Sequence, residues 1–482
     1  MGIGTLFDIA SSGVTAQRLA IEVTGENIAN VNTDGYSRQQ VIMENKPVTT
    51  ANGFPLGTGV QIGAVQRTYD NMLQLQQVNG NSSYQENLAK QTALEQIQPS
   101  FNELTSDGLG KALTNFFGAW QDLTTNASGS AERQALITRS QILVDSFHQM
   151  DFTLSNVAST ADSNLVGITA EATDNARNLA LVNTQILATG SVGGNANELL
   201  DQRDLLLRKL SQQVSITSTI NADGTASVTL PGGGQIVNST RYATLYTNAT
   251  GAPAANDIML SALGNPPPAN VPATDTLVAT VGGGATVGGK LGGTMQVRDG
   301  IVPGYLARLN EMANQLVTRT NTLHSAGYAL DGTTGNNFFN PAGLTAGSIA
   351  LDGALTGTKV AAALPVVPTD PIPTSSGNNL NALQFVALGN QSVPFTTGNA
   401  SFVNNYNSLV SQVGVDTEGT QNVASQGASF LKQLSALRSS NSEVSLDEEL
   451  TNLTKYQRAF QGSAKVISAA TDMLDTVLGM VR

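Results

Sequence analysis

SLDEELTNLTKYQRAFQGSAKVISAATDMLDTVLGMV, residues 445–481, is the stretch whose reading decides the fold. Leu446, Leu450, Leu453, Gln457, Phe460, Ala464, Ile467, Thr471, Leu474, Leu478 and Val481 follow one another at alternating steps of four and three. An apolar seam sustained for about five heptads marks a helix that needs a helical partner. A partner with the same steps lies at the other end of the chain, where Ile3, Phe7, Ala10, Val14, Gln17, Ile21, Thr24, Ile28 and Val31 repeat them. The two ends are therefore expected to pair. Ser445 is placed to cap the last helix, with Glu448 three residues on completing a capping box and Asp447 to Glu449 favouring the positive helix start.

Between these seams the chain alternates helical and strand-like patterns. Residues 41–68 hold short apolar stretches broken by Pro47, Gly53, Pro55, Gly57 and Gly59, which read as strands and turns. Helical spacing returns over 70–98 and again at Leu109, Leu113, Phe116, Phe117, Trp120 and Leu123, with the single Trp a core residue. A long helix from about Ala131 carries Leu136, Ser140, Leu143, Phe147, Met150, Leu154, Val157 and Ala161. Its steps then slip, four after four, before resuming at Leu165, Ile168, Ala172, Leu179 and Ile186. Such a stutter changes the winding without ending the helix. After a Gly-rich break at 190–194, NELLDQRDLLLRKLS at 197–211 reads as a compact amphipathic helix.

At Val214 the period becomes two. Val214, Ile216 and Ile220, a turn at NADG (221–224), then Ala226, Val228 and Leu230 predict a β-hairpin. Up to about 297 the chain stays rich in Gly, Pro and Thr, including Pro266–Pro268, which places a β-rich domain between helical segments. Helix returns at Leu306, Leu309, Ala313, Leu316, Thr320 and Leu323, followed by a turn at DGTTGNN and the pair Phe338 and Phe339. SIALDGAL and a proline-rich piece within 345–376 read as short strands and loops. Helical character resumes from about 379 through Phe402, Tyr406, Leu409, Val413, Val423, Phe430, Leu434 and Leu437.

The fold class is thus mainly α with an inserted β-rich domain. Residues 1–36 and 441–482 form a coiled-coil-like terminal domain. Residues 37–213, 298–345 and 376–440 form a helical middle with a short β-hairpin region. Residues 214–297 form an outer β domain, and 346–375 a loop and short-strand insertion.

Composition excludes several functions. At 482 residues the chain is long enough for several domains. Charged residues are only 12%, so the surface must be polar but mostly uncharged. A formal charge of -12 and a pI near 4.6, with no Lys/Arg run, argue against nucleic acid. No cysteine means no disulfide, thiol nucleophile or thiolate metal site. No apolar run approaches the ~18 residues of a membrane span and the start lacks a basic n-region. Membrane insertion is not expected, and any export takes an uncleaved route.

Chemistry-bearing constellations fail one by one. His148 and His324, the only two histidines, sit beside apolar seams and read as structural. Asp201 and Asp204 share a helix face three residues apart, yet no His or third acid accompanies them and Asp204 can pair with Arg208. GATVGGKL at 284–291 nearly spells a phosphate loop, but Leu291 replaces the magnesium-holding hydroxyl and Gly292 and Gly293 oppose the helix that should follow. DGTTGNN lacks the spaced acids of a calcium loop, and Ala342 stands where a bidentate Glu is needed. No catalytic, cofactor or metal residue is assigned, and an enzyme is not expected. A sugar-binding module finds its one hint in the polar β insert.

NIANVNTDGYSRQQ, Asn27 to Gln40, closely resembles the N-terminal signature of bacterial flagellar rod, hook and hook-associated proteins, and the 445–467 segment is similar to their C-terminal signature. Tyr36, Ser37, Arg38 and Gln39, with the LLDQRD helix, resemble the hook-associated junction branch more than the hook protein. The matching motif positions are Asn27, Asn30, Asn32, Gly35, Tyr36, Ser37 and Arg38. The resemblance covers the two ends, the 197–211 helix and the run after 300, about half of the chain. It implies an extracellular structural subunit of the junction ring between hook and filament. Export through the flagellar type III channel would precede assembly through the seam residues Ile3, Phe7, Val14, Ile21, Ile28, Leu446, Leu450, Leu453, Phe460, Ile467, Leu474 and Leu478. Implied partners are further copies of the chain, the hook protein, the second hook-filament junction protein and an export chaperone on the C-terminal helix.

Overall fold

The structure is a computed structural model, and it describes residues 3–47, 49–51, 54–102, 108–192, 194–250, 255–264, 275–279, 287–365 and 377–481. Gly53, the Pro266–Pro268 run, the proline-rich part of 366–376, residues 284–286 of the near phosphate loop and Arg482 lie outside them.

The chain opens with α1 (Ile3–Ala29) and a hairpin-like segment of β1 (Gln39–Asn45), β2 (Thr49–Ala51), β3 (Phe54–Leu56) and β4 (Val60–Arg67). Strand β1 pairs antiparallel with β4, and β2 with β3. Then come α2 (Asn71–Ile97), α3 (Leu109–Thr125), α4 (Ser130–Ser191) and α5 (Asn197–Gln213). The 62 residues of α4 make a rod of about 93 Å.

The β insert has two antiparallel sheets. One is β5 (Thr217–Ile220), β6 (Ala226–Thr229), β7 (Gln235–Asn238) and β8 (Arg241–Tyr242), in that order. The other places β10 (Ala255–Leu260) between β9 (Leu245–Thr250) and β11 (Thr276–Ala279). The predicted 221–224 turn joins β5 to β6, and Gly224 takes the left-handed φ of +84° that the turn requires. Helix α6 (Gly289–Gln296) continues through a π turn (Val297–Ile301) into α7 (Val302–Ala326). Short strands β12 (Tyr328–Ala329) and β13 (Ala361–Ala363) pair, α8 (Leu380–Asn390) follows, and β14 (Val393–Phe395) pairs with β15 (Gly398–Ala400). Two long helices, α9 (Phe402–Ser442) and α10 (Leu446–Val481), end the chain.

Two apolar clusters hold the body together. The first gathers Leu94, Phe116, Trp120, Phe147, Leu309, Phe338, Phe339, Phe385 and Tyr406 among others, and the second joins α5, α6 and the β sheets through residues such as Leu210, Val228, Ile236, Ile258 and Leu291. Helix α4 serves both. Its Leu136 to Ala161 belong to the first cluster and its Leu165 to Ala180 to the second, so the handover falls on the stutter read from the sequence. Two steps of four advance the apolar line by about 80° more than two whole turns, enough to turn it toward a new neighbour. Arg298 closes this crossing, donating to Asp162 at 2.6 Å and to the Asn256 carbonyl at 2.6 Å while paired with Asp299.

One helix contradicts the sequence reading. Gly292 and Gly293 were expected to oppose helix, yet both lie inside α6. A Cβ on Gly293 would stand 2.2 Å from the Glu86 carbonyl oxygen, so α6 lies against the backbone of α2 and the missing side chain is what permits the contact. Packing here outweighs the ~1 kcal/mol cost of a helical Gly.

The terminal helices α1 and α10 pack on each other. Gly13 lies against Ser463 and Asn27 hydrogen-bonds Glu449, so the pair runs antiparallel. The β1–β4 hairpin packs on α1, with Ser12 Oγ accepting from the Val60 amide, and through Arg67 and Val65 it also bonds α5 of the helical middle to which residues 37–68 were assigned. Helix α9 runs antiparallel along α2, where Gly427 meets Tyr84 and Gly80 meets Phe430 and Leu431.

Candidate assembly helices and their polar joint

The pairing face of α1 and α10 takes in only part of the heptad seam, Ala10 and Thr24 among its buried positions. On α1 the buried positions are Ala10, Ala16, Ala20, Val23, Thr24 and Asn27. On α10 the buried or half-buried positions include Glu449, Asn452, Tyr456, Ala459, Ser463 and Ala470. Small residues let two backbones approach closely, and the contact selects them over the larger apolar side chains. The larger apolar members of the predicted row are less buried than this. Ile3, Val14, Ile21, Ile28, Leu453, Phe460 and Ile467 are half-buried, while Phe7 is 41% exposed, Leu446 45%, Leu450 53%, Leu474 40% and Leu478 61%. From Thr471 to Met480 every residue of α10 is exposed.

Where the terminal pair meets the body, the family-like motif builds a buried polar joint. Asn27 uses its whole amide: Nδ2 donates to the Gln39 carbonyl at 2.9 Å and to Glu449 at 3.1 Å, and Oδ1 accepts from Tyr36 OH and from the Gln39 amide, each at 2.9 Å. Four partners are all an Asn amide can satisfy. Gly35 makes the corner with φ +88°, and a Cβ there would press on Leu205. The Ser37 amide donates to Asp201 at 2.8 Å. Arg38 forks onto Glu448 at 2.6 Å and Glu449 at 2.7 Å, and its amide donates to the Ser442 carbonyl. Asn30 donates back to the Glu26 carbonyl and accepts from Thr33, while Asn32 is exposed on the corner.

Two expectations are corrected here. Glu448 was read as completing a capping box with Ser445, but its carboxylate pairs with Arg38 across the joint, while Glu449, read only as favouring the positive helix start, serves Arg38 and Asn27 as well. Asp204 does not take Arg208 as its ion partner. It pairs with Arg67 at 2.8 Å and Arg203 at 2.7 Å, while Arg208 donates to Gln74. Asp201 and Asp204 do share one face, and what that face holds is Arg67 from β4, which also bonds Asp201 at 2.7 Å.

The electrostatics follow. Burial works against the Arg67 charge, but Asp204 and Asp201 outweigh it and hold the guanidinium protonated. Burial pushes the Asp201 carboxyl up, opposed by Ser37 and Arg67. Arg208 is lowered to about 10, by burial first and by Arg438 second; Arg438 itself donates to the Gly35 carbonyl at 2.9 Å. Arg67, Gln74, Asn197 and Arg438 carried no readable signal, because their partners lie more than a hundred residues away.

Neither histidine faces a site. His148 Nε2 donates to the Ile349 carbonyl at 2.8 Å. His324 is fully buried; Nδ1 donates to the Asn336 carbonyl at 2.7 Å and Nε2 accepts from the Ala361 amide at 3.0 Å, which requires the neutral ring. Burial lowers its pKa to about 4. A depressed base supports the fold fully above about 6.5 and loses that support as the pH falls through about 4. Unfolding free energy should therefore drop by up to about 3 kcal/mol over that window. Urea titrations at stepped pH should show a shallower acid slope in His324→Gln. Among the described residues no group of three His, Cys, Asp or Glu could hold a metal ion, and no helix is long and apolar enough to cross a membrane.

Residues 94–339 match the family described as the flagellar hook-associated protein FlgK helical domain. The chain belongs to this FlgK family of flagellar hook-associated proteins. Residues 7–36 match the flagella basal body rod protein family, and 436–480 the C-terminal family of the flagellar basal body rod FlgEFG proteins. The flagellar hook-associated protein 1 of Bacillus subtilis (strain 168) is 27% identical over 99% of this chain and 97% of its own length. That of Escherichia coli (strain K12) is 26% identical over 99% and 100%. The solved flagellar hook junction protein FlgK from Burkholderia pseudomallei superposes with a TM-score of 0.67 at 16% identity, covering 78% of this chain and all of that one, which establishes a common fold. As a FlgK-family member the chain is a structural part of the flagellum, with its role at the hook-filament junction, and not an enzyme.

Proposed function

We propose that the chain is the subunit of a ring joining hook to filament, and that α1 and α10 are its assembly element. In this reading it leaves the cell through the flagellar type III system without a cleaved signal peptide. It meets further copies of itself, the hook protein on one side and the second junction protein on the other, and an export chaperone covers α10 beforehand. The β insert stands outermost. The observation that carries the proposal is the outward apolar row. Leu446, Leu450, Leu474 and Leu478 line one side of a paired helix whose own partner leaves them exposed. Heptad spacing at those positions is that of a coiled-coil seam, and neighbouring helices in a ring would cover it.

Hook binding tests it. Leu450→Asp and Leu478→Asp place a charge on the row without disturbing the monomer, where both side chains already meet water. They should keep the wild-type thermal transition yet bind isolated hooks at least tenfold more weakly, because an unpaired carboxylate would be buried on assembly. Lys455→Gln and Asp472→Asn, exposed between seam positions, should bind as wild type does. Equal binding by all four would remove the row from the assembly surface.

A further inference from the structure

Four helices pass the boundary between the two apolar clusters of the body, and at one level three of them depart from regular helix. Helix α2 carries Val78 in the second cluster and Leu94 and Ile97 in the first. Helix α4 changes cluster between Ala161 and Leu165, on its stutter. The α6–α7 run changes cluster between Met295 and Val297, where the π turn begins. Helices bend at π turns, and a stutter loosens the winding locally. Helix α9 leaves the first cluster after Val413 and is tied to the start of α7 by Tyr305, whose hydroxyl donates to Asp416 at 2.7 Å. Gly414 and Gly419 flank that bond, and among the described residues a Cβ on either would meet nothing within 4 Å. Packing does not ask for glycine there, and each one makes the helix easier to distort.

The same level is open on one side and tied on the other. A cleft of about 280 Å³ lies between α2, α4 and α6, with Leu88, Thr92, Val157, Ala161, Thr294 and Val297 in its walls. Atoms that border a void forgo dispersion contacts, so drawing the walls together gains contact. At about 100° per residue, Asp162 lies nearly opposite the α4 wall of that cleft. There it accepts from Arg298 at 2.6 Å and from the Asn256 amide at 2.9 Å. Arg298 also donates to the Asn256 carbonyl of β10 and pairs with Asp299. These bonds join α4, the π turn and the β insert at one point, and the cleft leaves room for rotation about it.

We infer that this level is a hinge within the body, pivoting on Arg298 and Asp162, about which the first-cluster half swings against the half holding α5 and the β insert as the cleft narrows and widens. The terminal pair and its hairpin are bonded to α5 through Arg67, Ser37 and Val65, so they travel with the second half. A chain so built keeps its terminal helices fixed while its far half follows a partner surface of changing orientation. The hinge is a property of the single chain and does not rest on ring assembly.

The chain has no cysteine, so two introduced ones carry spin labels without background. Double electron-electron resonance on the full-length chain tests the hinge. Ala307→Cys with Gln235→Cys, exposed on α7 and β7, places labels on opposite sides of the crossing, and Ala307→Cys with Gln121→Cys places both in the first half as a control. The distance distribution across the crossing should be at least twice as wide as the control. Ala89→Phe, which sets a ring in the cleft, and the double change Gly414→Ala with Gly419→Ala should each narrow it toward the control. Asp162→Asn, which takes a charge from the pivot, should widen it. Equal widths for the two label pairs would overturn the inference. So would a width that none of the folded variants moves, because the spread would then arise at the label sites and not at the crossing.

Discussion

Arg67→Ala is expected to cost about 3–5 kcal/mol at pH 7.5, because it strands the buried Asp201 without its cation and leaves the buried Asp204 with Arg203 alone. The loss should be local first. Arg67 of the hairpin reaches both Asp201 and Asp204 of α5, so amide protection should fall in residues 39–45, 60–67 and 197–208 before it falls in α3 or α7. The deficit also has a pH sign. Burial raises the Asp201 carboxyl, and Arg67 is among the groups that restrain it, so without Arg67 the carboxyl rises further. A raised carboxyl destabilises the fold above its pKa and ceases to do so once protonated. The variant should therefore recover toward wild type as the pH is lowered to about 5. Arg67→Lys should fall between the two, since an ammonium supplies charge but not a planar fork that spans two carboxylates. Unfolding midpoints in urea at pH 7.5 and pH 5 decide it, and an Arg67→Ala midpoint equal to wild type at pH 7.5 would show that the joint is organised by something else.

The parts of this fold that could be read beforehand are those set by spacing. The helices α1 and α10, the slip at Ala161–Leu165 and the 221–224 turn are all local periodicities, and each has a counterpart in the structure. Reading failed where a contact depends on what a residue lacks. Apolar patterning gives weight to Phe7 or Leu450, whereas α1 and α10 meet through Gly13, Ala16, Ala20 and Ser463, whose merit is small size. The same blindness put Gly292 and Gly293 outside a helix. It failed also where a polar residue had both a local and a distant partner to choose from. Arg208 four residues from Asp204, and Ser445 three from Glu448, are sound local pairings. Burial favours the arrangement that satisfies the most polar atoms, and that arrangement brings Arg67, Arg38 and Asn27 across the joint instead. The joint was half legible, since the Asn27–Arg38 motif was singled out but its partners on α5, α9 and α10 were not.

Trp120→Ala should be as costly as any single change in the body, about 3–5 kcal/mol for a large buried ring. Its indole is fully buried and stacks on Phe385 with centroids 3.7 Å apart and planes 6° from parallel, while Phe338 lies 5.5 Å away. The void would be bounded by α3, α8 and the Phe338–Phe339 turn, and all of these pack only in the first apolar cluster. What happens to the second cluster depends on α4, which runs unbroken through both. Past Ala161 its apolar line faces α5, α6 and the β sheets, whose contacts the substitution does not touch. Helix hydrogen bonds can carry strain along α4, but an exposed helix half in water gains little without apolar partners. The two clusters should therefore separate energetically. In Trp120→Ala, α3, α8 and the first half of α4 should lose protection and melt in an earlier transition, with α5 and β5–β8 following at the wild-type temperature. Trp120→Phe, which keeps a ring on Phe385, should shift the first transition much less. A single transition moved as a whole, with α5 and α3 losing protection together, would mean instead that α4 makes the two clusters one cooperative unit.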